Sequence, residues 1–145
     1  MKHRTAIVVI AAAALASLAW WWVRSRTEGY GASPYGAYAS ELLGFFPPAY
    51  RTRDAARAVL ADVSWQLRSA AKARPTDAVP CALVFEYVNF EGALSQIPIE
   101  EAWNVRSAVA ALRQMLDAAA GENCWGGFTT FANAAALVDK LYAAF

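Results

Sequence analysis

Thr52 to Ala73, TRDAARAVLADVSWQLRSAAKA, is the stretch that sets the fold class. Ala56, Val59/Leu60, Val63, Leu67 and Ala70 recur at three- and four-residue steps, which places them on one face of a helix. Thr52 brings a hydroxyl to the first unpaired N–H groups, Asp54 sits in the first turn, and Pro75 lies just past the end. The spacing therefore predicts an amphipathic helix, and its apolar face requires other elements to cover it. Arg51, Arg53 and Arg57 crowd its N-terminal end, where positive charge opposes the macrodipole by about 0.3–1 kcal/mol per group. That points to acidic residues, lipid phosphates or a partner lying opposite.

Toward the C-terminus the helical period returns. Pro98 to Ala120 has proline suited to a first turn, Glu100 and Glu101 near the positive dipole end, and Gly121 as a stop. Ala102, Val105, Val109, Leu112, Leu116 and Ala119 form a seam whose length fits a bundle core rather than an extended coiled coil. Glu122 to Thr130, ENCWGGFTT, reads as a loop around Gly126 and Gly127, and Thr130 caps a last helix. On that helix Phe131, Ala134/Ala135, Val138, Leu141/Tyr142 and Phe145 share a face. Pro80 to Gln96 carries apolar residues on both parities, and Leu83, Tyr87, Phe90 and Leu94 fit a helix better than a strand. Ile97 before Pro98 ends it.

Toward the N-terminus the period is lost. Glu41 to Tyr50, ELLGFFPPAY, gathers large apolar side chains around Gly44, Pro47 and Pro48 and reads as an apolar turn over the core. Arg24 to Ser40, RSRTEGYGASPYGAYAS, repeats Tyr-Gly-Ala at residues 30 and 35 and reads as a linker. Its tyrosines, Tyr30, Tyr35 and Tyr38, exceed what a solvated spacer needs. Ahead of it lies Thr5 to Val23, TAIVVIAAAALASLAWWWV, an uncharged run of nineteen residues. As a helix it spans roughly 28 Å, close to the hydrocarbon thickness of a bilayer. Trp20, Trp21 and Trp22 fall at one end, where indole rings prefer the headgroup level, and Arg24 and Arg26 reach lipid phosphates. The competing reading is a signal peptide cleaved after Ser17-Leu18-Ala19. It would leave a chain that opens on three tryptophans. Lys2 and Arg4 before the run, against Arg24 and Arg26 offset by Glu28 after it, slightly favour a cytoplasmic N-terminus.

The composition sets bounds on function. Hydrophobic residues make up 58% and charged residues 17% of the 145, which excludes a disordered polar chain and leaves room for one core. Arg51 to Arg74 is net basic and Pro75 to Phe145 net acidic, so the overall charge of +1 conceals two faces of opposite sign. The balance is far from that of a nucleic-acid binder. Cys81 and Cys124 are the two cysteines; in an oxidising compartment they form a disulfide whose loop constrains the unfolded chain by about 4 kcal/mol. Cys124 before Trp125 has the look of a thiol nucleophile, but the one histidine, His3, precedes the apolar run. Catalytic residues, metal ligands and cofactor sites are not assembled by any motif. Glu86 in its apolar setting and the pair Glu100-Glu101, whose side chains point about 100° apart, do not make an acid–base site.

The sequence thus predicts an all-α protein of one transmembrane helix and a small extracytoplasmic bundle of about four helices. Residues 1–23 form a cytoplasmic tail and anchor, 24–50 a linker with an apolar turn, and 51–145 the helical domain. The expected role is a non-enzymatic accessory subunit of a larger membrane complex in a bacterial-type inner membrane, needing no cofactor. Trp20, Trp21, Trp22, Arg24, Arg26, Tyr30, Tyr35, Tyr38, Phe45 and Phe46 are the expected contacts with lipid or partner. The alternative is a periplasmic helical domain, freed by signal cleavage, that binds a small or lipidic ligand.

Overall fold

A computed structural model describes residues 35–98 and 101–145. The elements in order are α1 (Gly36–Gly44), a 3-10 turn (Pro48–Tyr50), α2 (Arg53–Ala73), β1 (Val79–Pro80), a second 3-10 turn (Val84–Tyr87), α3 (Phe90–Leu94), α4 (Val105–Cys124), β2 (Phe128–Thr129) and α5 (Phe131–Ala143). The domain is mostly helical, as expected. The anchor and the first part of the linker, with Trp20, Trp21, Trp22, Arg24, Arg26 and Tyr30, lie outside the described residues. Among the described residues no helix is long and apolar enough to cross a membrane.

α2 forms where its period placed it. Thr52 is extended, and its hydroxyl accepts from the Ala55 N–H at 3.2 Å. Val59, Leu60, Val63 and Leu67 are buried against α5, which makes with α2 the most extensive pair of the fold. Arg57 meets Phe145 while Ser64 meets Asp139, so the two helices run in opposite directions. α5 is capped in the same way, Thr130 accepting from the Asn133 N–H at 3.2 Å, and buries Phe131, Ala134, Ala135, Val138 and Leu141. Tyr142, placed on that face from the sequence, is exposed instead. α3 packs on α2 and α4, and α1 on α4 and α5.

The structure corrects the reading of three stretches. The first is the linker and apolar turn, where Gly36–Gly44 is helical. Tyr35, Ala39, Leu42, Leu43 and Phe46 recur at helical spacing and are buried, each large apolar side chain contributing roughly 1.5–3 kcal/mol. That burial outweighs the glycine at the helix start. The second is Pro80 to Gln96, which breaks into a 3-10 turn and the short α3 rather than one helix. Gln66 on α2 causes the break: its Oε1 accepts from the Asn89 N–H at 2.7 Å and its amide donates to the Asn89 carbonyl at 3.1 Å. The Asn89 backbone is held as if by a neighbouring strand, and its side chain caps α3 by accepting from the Gly92 N–H at 3.0 Å. A Cβ on Gly92 would stand 2.8 Å from Asn89 Nδ2, so glycine leaves room for the cap.

The third correction concerns both ends of α4. It begins at Val105, not Pro98, because Asn104 accepts from the Ser107 N–H at 3.2 Å. Glu101 and Ala102 consequently lie in an exposed turn ahead of the helix, and the dipole role assigned to Glu101 lapses. Gly121 does not stop the helix, which continues to Cys124 and ends at Trp125 in the left-handed conformation, with φ 52°. The extra turn is tied down by the Cys81–Cys124 disulfide, whose Cα atoms are 6.1 Å apart, and by the β1–β2 ladder pairing Val79 with Thr129 and Pro80 with Phe128.

Candidate interaction surfaces

Two exposed apolar sites are built into the domain, each on backbone that is hydrogen-bonded in place. At the first, the chain leaves α1 through Phe45 and Phe46, whose N–H groups bond the carbonyls of Leu42 and Leu43. Arg51 closes the turn from the other side, its Nε donating to the Phe46 carbonyl at 2.9 Å and its NH2 to that of Gly44 at 3.4 Å. Trp103 donates its indole N–H to the Phe45 carbonyl at 3.0 Å. With Pro47, Pro48 and Ala102 these residues line a cleft of about 210 Å³. Phe46 points inward, 1% exposed, while Phe45 on the rim is 42% exposed.

The second site is the loop from Cys124 to Thr130. Trp125 N–H bonds the Gly121 carbonyl at 2.9 Å, Gly127 N–H bonds the Cys124 carbonyl at 3.0 Å, and Cys81 N–H bonds the Gly127 carbonyl at 3.0 Å. With the disulfide these bonds hold a sharp reversal in which Gly126 also takes a positive φ of 74°. The reversal turns Trp125 and Phe128 outward, 92% and 72% exposed. A cleft of about 360 Å³ opens beside them, lined by apolar Val84, Phe128 and Leu137 and by polar Asn123, Asn133 and Lys140. A third hollow, across α5, lies between exposed Trp65 and Tyr142 and the Arg68–Asp139 ion pair.

The charged groups are largely occupied with the fold. At the basic N-terminus of α2, Arg51 donates to carbonyls at the end of α1 and Arg57 donates to the Phe145 backbone oxygen, 2.7 Å away. Arg57 also stacks over the Tyr142 ring at 5.5 Å. Glu86 pairs with Arg113 at 3.0 Å and is exposed, as a helix-surface carboxylate would be. Asp117, 3.7 Å from Arg113, is pushed up chiefly by burial, with Arg113 lowering it and Glu86 raising it. The Tyr38 phenol is pushed up to about 12, first by its hydrogen bond to Glu122 and then by burial. Among the described residues no group of three or more His, Cys, Asp or Glu side chains could hold a metal ion.

The expected contact residues therefore divide. Tyr35 is buried, its hydroxyl donating to Asn123 Oδ1 at 3.2 Å, and Tyr38 is half-buried beside Glu122; both belong to the domain rather than to a spacer. Phe46 is core, and Phe45 alone of the described set presents its ring at a surface cleft. Sequence reasoning passed over Trp125, Phe128 and Trp103. The available signal was the Gly126-Gly127 pair directly after Cys124-Trp125, since a reversal pinned at a helix end leaves its adjacent side chains no core to enter. Compared with known proteins, the chain matches no family model, no curated protein and no solved structure.

Proposed function

We propose that the chain is a non-enzymatic accessory subunit of a larger membrane protein complex, anchored by Thr5–Val23 with its helical domain on the extracytoplasmic side. The observation that carries the reading is the Phe45 cleft. Three successive carbonyls, of Gly44, Phe45 and Phe46, are held by Arg51 and Trp103, so an apolar aromatic rim is fixed before any partner arrives. Preorganisation of that kind lowers the ordering cost of docking, and aromatic side chains in shallow clefts are frequent centres of interface energy. The Cys81–Cys124 disulfide agrees with an oxidising compartment. The apolar run and its tryptophan end support the anchor.

The test is extraction of the tagged full chain in mild detergent, followed by sizing and identification of a defined stoichiometric assembly. Phe45→Asp is predicted to release the chain from that assembly without changing its thermal stability. Recovery of the unsubstituted chain alone and monodisperse contradicts the proposal. The second reading, a secreted domain with a small or lipidic ligand, draws support from the cleft of about 360 Å³ with its mixed lining. The intact mass of the mature protein separates the two readings, because cleavage after Ala19 belongs only to the second.

A further inference from the structure

We infer that the Trp125–Phe128 loop is a membrane-contacting element that seats the domain on the lipid headgroups. This rests on the anchor proposed above. The apolar run ends at Val23 and the domain begins at Tyr35, twelve residues later, a span of at most about 40 Å when fully extended. The point of entry is defined. The Tyr35 hydroxyl donates to Asn123 Oδ1 at 3.2 Å, so the chain from the anchor joins the domain at the last turn of α4. Trp125 and Phe128 project from the loop that follows that turn. Of the exposed aromatic groups, this pair is therefore the one whose loop adjoins the tether.

The chemistry of the loop fits a headgroup layer. Tryptophan partitions to the bilayer interface, where its ring meets acyl chains and its N–H meets polar groups. Lys140, in the cleft that Phe128 also lines, offers a cation to lipid phosphate. Trp125 occupies a left-handed backbone position and stands almost wholly in solvent, so it gains nothing from the core and holds a conformation that side-chain-bearing residues avoid. A docked soluble partner would use the same rings, and the experiment separates the two.

The full chain, labelled with 5-fluorotryptophan, is reconstituted into nanodiscs of phosphatidylcholine and phosphatidylglycerol with and without a headgroup nitroxide lipid. Trp125→Phe and the corresponding single variants assign the fluorine signals. The expected result is loss of most of the Trp125 signal together with those of Trp20, Trp21 and Trp22, while Trp65, across α5 from the loop cleft, keeps its intensity. A sharp Trp125 beside broadened Trp20, Trp21 and Trp22 overturns the inference, leaves the anchor standing and assigns the rings to a protein partner. Equal loss at Trp125 and Trp65 also overturns it, because the contact is then not one the loop makes. Sharp signals from Trp20, Trp21 and Trp22 overturn the anchor itself.

Discussion

At Trp125 the backbone conformation works against stability. A non-glycine residue in the left-handed region costs about 1–2 kcal/mol, and this ring, 92% exposed, recovers little of it by burial. Glycine there relieves the strain but adds roughly 0.5–1 kcal/mol of unfolded-state entropy. Trp125→Gly is accordingly predicted to melt at or slightly above the temperature of the unsubstituted protein, while losing lipid contact; a marked fall in Tm would mean that the ring packs. Tyr38 carries a pH prediction. Because its phenol titrates near 12 in the fold against 10.0 ordinarily, its contribution is complete below pH 10 and is lost as pH climbs toward 12. Scanning Tm across that range should show a decline that Tyr38→Phe reduces. Asp117 has the same sign in acid: its raised value favours the fold below the ordinary carboxylate range and is lost as pH rises through the folded value. Asp117→Asn should then flatten the acid side of the stability profile, and an unchanged profile would reassign it.

At the scale of elements, legibility followed from whether a helix's determinants sat inside its own stretch. α2 and α5 carry cap and period together, Thr52 with Val59 to Leu67 and Thr130 with Phe131 to Leu141, and both are helices with these caps, Tyr142 alone leaving the expected α5 face. α1 was hidden because its buried set, Tyr35 to Phe46, straddles the boundary between a glycine-rich stretch and an apolar one. Each half alone is too short to show a period. The break before α3 was not readable locally at all, since its cause is Gln66, 23 positions away. Gln66→Ala is predicted to cost about 1 kcal/mol through the two lost bonds and to raise hydrogen exchange at Asn89, measured by NMR. Thr130→Ala should cost a similar ~1 kcal/mol in denaturant unfolding, as an N-cap does. Among the surfaces, Phe45 was legible as a surplus aromatic, whereas its neighbour Phe46 differs only in which side of a tight turn it occupies.

On the scale of the whole molecule, the two-stranded ladder and the disulfide join the end of α4 to the segment following α2, and the Tyr35–Asn123 hydrogen bond ties the start of α1 to the same end of α4. Replacing both cysteines by alanine removes a link closing a sequence separation of 43 and is predicted to lower stability by about 4 kcal/mol in urea unfolding. The same variant should loosen the Trp125 loop more than the Phe45 turn, which Arg51, Trp103 and the Leu42 and Leu43 carbonyls hold without the disulfide. The proposed function depends on the apolar run at residues 5–23 entering lipid. The most direct measurement is alkaline carbonate extraction of native membranes with intact mass of the recovered chain. The account predicts a full-length chain that stays in the pellet; a soluble chain shortened to begin at Trp20 would contradict it.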